Sequence, residues 1–138
     1  APKPSASAPE ARAMVTFDRE EAPGGPTIRG FSGTAFRVQD RIVPGGLWLT
    51  PDNALDWSPP AIADLRASHV ESLIDTTPPP EFLLLGTGPT IVRPSPAFVA
   101  EIEARGYGVE VMDSRTAARA WNVLRGEDRW IVAALMPL

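Results

Sequence analysis

The fold is decided by Glu81 to Leu135, where Phe82-Leu83-Leu84-Leu85, Val109-Glu110-Val111-Met112 and Trp130 to Met136 form three short apolar runs. Helix-like segments separate them. Runs of this length are strand-like, and strand, helix, strand, helix, strand is the pattern of a parallel βαβαβ layer. Ser95-Pro96 supplies an N-cap and a first helical residue, and Arg105-Gly106 an ending, for a helix whose buried stripe is Phe98, Val99 and Ile102. A last helix is expected from Asp113 or Ser114 to near Gly126, with Ala117, Ala120, Trp121 and Leu124 on one side. In such a layer the loops Gly86-Thr87-Gly88 and Asp113-Ser114 leave the sheet at one edge, the place where a ligand or partner would be met.

Upstream the pattern shortens. Ile28 to Phe31 and Ala35 to Val38 flank a Ser32-Gly33 turn, Ile42-Val43 follows Gln39-Asp40, and Leu47 to Leu49 and Ala54 to Trp57 are set off by Pro44-Gly45-Gly46 and Pro51-Asp52-Asn53. These read as an antiparallel β layer. Ser68 followed by Glu71 matches a capping box and predicts a short helix from His69 to about Asp75, with Val70, Leu73 and Ile74 inward. Pro78-Pro79-Pro80 then delivers the chain into the Phe82 strand. The fold class expected is α/β with three layers: a central mixed, largely parallel sheet from the C-terminal half, helices against it, and an additional antiparallel β layer from the N-terminal half.

At 138 residues and 43% apolar composition the chain has the size and balance of one globular domain. Residues 1–26, rich in Pro, Ala and Ser, read as a disordered tail before a domain at 27–138. That tail carries neither the apolar core of a secretory signal nor the basic pattern of a transit peptide, so a cytoplasmic location is expected. A net charge of −4 argues against nucleic acid, and no apolar run is long enough to span a bilayer. Twelve arginines against one lysine, Lys3, fit a GC-rich bacterial genome.

The chemical inventory is sparse. There is no cysteine, one histidine (His69), one tyrosine (Tyr107) and one lysine. Thiolate chemistry is excluded, and Schiff-base, phosphate-loop and histidine-dependent acid–base mechanisms have little to draw on. No catalytic residue, metal site or cofactor is expected. Gly86-x-Gly88 follows a strand as a dinucleotide fingerprint does, but Ile91 stands where the third glycine belongs and Pro89 removes an amide donor. Gly30-Phe31-Ser32-Gly33 joins strand to strand and lacks the second glycine of a nucleophile elbow. Glu110 interrupts what should be a covered strand; it would need an arginine partner, Arg93 or Arg119, or else carry a raised pKa. Gly86, Thr87, Gly88, Glu110, Asp113 and Asn122 are therefore the candidate crevice for a ligand or partner. Against this, Asp113 also reads as a helix cap, Asn122 as a bond to a loop backbone, and the glycines as a tight strand exit.

Pro78 to Gly88, then Gly108 to Asp113, then Trp121-Asn122-Val123-Leu124, resemble one small domain family of unknown function. Its eukaryotic members include mitochondrial complex I assembly factor 3 and an adipogenesis-associated protein. The resemblance covers roughly Thr27 to Leu135. It implies an α/β fold, no established reaction, and a protein partner in a membrane complex under assembly, which would place the chain in the cytoplasm, peripheral to the inner membrane. Ala120-Trp121-Asn122 departs from the Thr-Tyr-Asn expected of relatives, leaving Asn122 as the shared polar residue. Two readings stand: a non-catalytic accessory domain working through protein contact, and a small-molecule-binding domain or unusual enzyme at the Gly86–Asp113 edge.

Overall fold

A computed structural model describes residues 25–138. Eight strands and three α-helices follow in the order β1 (Ile28–Ser32), β2 (Ala35–Val38), β3 (Arg41–Val43), β4 (Gly46–Leu49), β5 (Ala54–Trp57), α1 (Glu71–Ile74), β6 (Phe82–Gly86), α2 (Pro96–Ala104), β7 (Gly108–Met112), α3 (Ser114–Gly126) and β8 (Val132–Leu135). The central sheet has the order β5-β4-β8-β6-β7. β8, β6 and β7 run parallel, whereas β5, β4 and β8 pair antiparallel. The βαβαβ unit is therefore as read from sequence, with β6 between its two partners.

β1, β2 and β3 form a separate antiparallel sheet. β4 and β5, expected in that additional layer, instead extend the central sheet. The physical reason is that β4 pairs with β8, Trp48 opposite Ala134, across most of the chain. Gly46 is closely approached from both sides: a Cβ there would lie 2.7 Å from the Trp57 carbonyl oxygen of β5 and 3.2 Å from the Leu135 carbonyl oxygen of β8.

Strand alternation sorts the core onto two faces. Leu47, Leu49, Leu84, Ala133 and Leu135 meet Ala117, Ala118 and Trp121 of α3, together with Phe36, Val38 and Val43 of the small sheet. Leu83, Leu85, Val132 and Ala134 meet Phe98 and Ile102 of α2 and Leu65, Val70, Leu73 and Ile74. Each fully buried leucine contributes about 1.5–3 kcal/mol of apolar burial. Trp57 is buried and in tilted contact with half-buried Trp48, centroids 6.0 Å apart. Phe31 stacks edge-on to buried Phe36 at 6.2 Å. Among the described residues the large exposed apolar side chains are aliphatic: Ile42, Leu55, Ile91, Val92 and Val123.

Pro26, placed in the tail from sequence, is buried, and its carbonyl accepts a 2.9 Å bond from Trp121 Nε1. Residues 1–24 lie outside the described residues. The helix expected from His69 is a 3-10 turn at Ala67–Val70 followed by the single α-helical turn α1. Ser68 does not cap it. His69 Nδ1 accepts from the Arg66 amide at 2.9 Å, and Glu101 of α2 accepts from the Ala67 amide at 3.0 Å.

Candidate functional site

The loops after β6 and β7 do leave the sheet at a common rim. Thr87 N donates to Met112 O at 2.9 Å, and Ser114 N to Gly88 O at 2.8 Å. The third parallel strand joins them through Met136 N, which donates to Gly86 O at 2.9 Å. Gly86 is glycine because α3 starts directly above it: a Cβ would stand 2.8 Å from Ser114 Oγ and 2.9 Å from Ser114 Cα. Gly88 adopts a φ of +106°, a conformation that side chains disfavour.

Ser114 closes the rim. Its hydroxyl accepts from Gly88 N at 2.9 Å and donates to Met136 O at 2.7 Å, with the serine fully buried. The amide that a phosphate would need at Gly88 is thus already used. Thr87, only 5% exposed, folds its own loop: Oγ1 donates to Thr90 O at 2.8 Å and accepts from Val92 N at 3.0 Å. The rim is filled by the chain's own polar groups.

Asp113 caps α3, accepting from Thr116 N at 3.0 Å and the Thr116 hydroxyl at 2.6 Å. These bonds, the hydroxyl's first, hold its carboxyl below the ordinary aspartate range. Such a group serves as a cap at neutral pH, not as a proton donor. Glu110 departs from expectation. β7 is the sheet's outer strand, so Glu110 is exposed, and it makes no ion pair with Arg93, Arg119 or any other described residue. The strand pattern that suggested burial belongs to a covered strand, which an edge strand is not.

Asn122 is not at the rim. It lies nine residues along α3 from Asp113, roughly 13 Å at 1.5 Å per residue. Its amide clasps the small sheet: Oδ1 accepts from Ile28 N at 2.9 Å and Nδ2 donates to Ile28 O at 2.8 Å. Of the six candidates, Gly86, Thr87, Gly88 and Asp113 gather, while Glu110 and Asn122 stand apart.

Beside the filled rim, facing α2, a cleft of about 430 Å³ is lined by Ile91, Arg93, Pro94, Val99 and Val111. Ile91 is 66% exposed at its mouth. Sequence reading missed this cleft; the available signal was Ile91-Val92, apolar residues in a loop bracketed by Pro89 and Pro94. No group of three or more His, Cys, Asp or Glu suited to a metal occurs among the described residues. Nor is any helix there long and apolar enough to cross a membrane.

The same fold occurs in solved structures. A Bordetella parapertussis protein superposes with a TM-score of 0.75 at 30% identity, covering 86% of this chain and 100% of that one. A Bordetella pertussis protein described as an Mth938-like domain gives 0.73 at 26%, covering 88% and 92%. By sequence, an uncharacterised Rhodobacter capsulatus protein is 33% identical over 80% of this chain and 84% of its own length. The Danio rerio protein named NADH dehydrogenase [ubiquinone] 1 alpha subcomplex assembly factor 3 is 29% identical over 91% of this chain and 72% of its own length. The βαβαβ layer, the small sheet clasped by α3 and the rim all fall within residues 28–136. That span matches the family described as Protein of unknown function (DUF498/DUF598), and the chain belongs to it.

Proposed function

We propose that this chain is an assembly-factor-like domain that acts through protein contact on a respiratory membrane complex while it is built, from the cytoplasm and peripheral to the inner membrane. The observation that carries this reading is the similarity, along 91% of the chain, to a protein named as a complex I assembly factor. Two features support it. The rim where a metabolite would sit is occupied by Ser114 and its partners, and exposed aliphatic side chains lie beside it instead. Exposed apolar side chains of that kind are one mark of a protein-contact surface.

The test is genetic and biochemical. In cells that carry both this protein and a respiratory NADH dehydrogenase, its removal lowers the fully assembled enzyme on native gels, and the wild-type gene restores it. Unchanged assembly overturns the reading.

A further inference from the structure

A sheet edge offers unpaired peptide groups to a neighbouring chain unless something blocks it. Two edges here are occupied. β1 is held by the Asn122 amide on Ile28. β5 is met by Arg41, whose Nη2 donates to Ala54 O at 2.9 Å while Nη1 reaches Asp56 at 3.3 Å. The outer side of β7 has no such occupant among the described residues.

The peptide direction on β7 can be assigned. Met112 O accepts from Thr87 N, on the β6 side. Peptide groups alternate along a strand, so those of Val109 and Val111 point outward. The side chains alternate as well. Val109 and Val111 belong to the α2 face, where Val111 lines the cleft with Ile91, Pro94 and Val99. Glu110 stands on the opposite face, exposed.

We infer that β7 and the adjoining cleft receive an extended segment of a partner protein as a sixth strand, apolar side chains entering the cleft and a basic side chain facing Glu110. Charge fixes this pattern. Arg93 at the cleft disfavours a cation on that face, and Glu110 attracts one on the other. A second copy of the same chain offers no matching cation: in the antiparallel register that opposes Val109 to Val111, one Glu110 lies directly against the other, and like charges so placed repel. Main-chain bonds would supply affinity and the alternating side chains selectivity. This rests on the protein-contact reading above but is tested apart from it: a failed peptide titration would sink the strand-docking inference while leaving loss of complex assembly unaffected.

The probe is an end-blocked heptapeptide alternating Val and Arg, titrated into isotope-labelled protein and followed by amide NMR shifts. Shifts are expected at Val109 to Val111 and at Ile91-Val92, and they disappear when the peptide backbone is N-methylated at every second residue on its pairing side. Glu110→Arg, its spectrum otherwise unchanged, is expected to move the preference roughly fivefold toward a Val–Glu peptide. The inference is overturned by no shift in β7 up to millimolar peptide, by shifts located elsewhere, by a preference indifferent to Glu110→Arg, or by a free protein already dimeric through β7.

Discussion

Gly86 and Ser114 touch, and each is explained by the other. Gly86→Ala would force a methyl against Ser114 and Leu135 at 2.8 Å, an overpacking that costs about 1–3 kcal/mol. Ser114→Ala leaves Gly88 N–H and Met136 C=O buried without their partner, a loss of similar size, about 1–3 kcal/mol. Urea unfolding of each variant should show a lower midpoint with an unchanged slope; an unchanged midpoint would mean the contact relaxes freely. From sequence alone the Gly-x-Gly turn could be read as a strand exit and Asp113 as a cap, beside the alternative of a crevice for a ligand or partner. It could not identify Ser114 as the closing residue, because its two bonding partners lie 26 and 22 residues away. Glu110 misled for a related reason: its solvent exposure follows from strand order, which no local pattern encodes.

Among elements, α2 and α3 were legible to within a residue because their caps are sequence neighbours: Ser95 accepts from Phe98 N at 3.2 Å, as Asp113 does from Thr116. The 67–74 segment was not, since its cap is Glu101, borrowed from α2. That carboxylate also receives Arg66 Nε at 3.1 Å and pairs with Arg66 Nη2. The Arg66 bond, then the Ala67 amide, lower the Glu101 pKa from 4.5 to about 2. A carboxyl depressed in the folded state stabilises it above its unfolded pKa, and that contribution is lost as pH falls through the folded value. Acidification from pH 4.5 toward 2 should therefore destabilise the wild type more steeply than Glu101→Gln. Parallel pH–stability curves would show that the contact contributes nothing. Because Glu81 and Asp113 are depressed in the same direction, only the difference between the two proteins isolates Glu101.

For the molecule as a whole, Asn122 couples the small sheet to the main body. Asn122→Leu removes both bonds to Ile28, so amide exchange in β1 should quicken by on the order of tenfold or more. Exchange in β6 should stay slow. Equal acceleration of both strands would show that the two sheets open as one unit. The existence of a small sheet could be read from its hairpin turns; that β4 and β5 leave it for the central sheet depended on a pairing with residues 133–135. That pairing has a consequence for biosynthesis. β8 is the last in chain order of the five strands of this sheet and lies between β4 and β6, so the antiparallel and parallel halves remain separate ribbons until it arrives. A ribosome still short of residue 135 therefore holds two open-edged fragments, and this sheet can close only after β8 has left the exit tunnel.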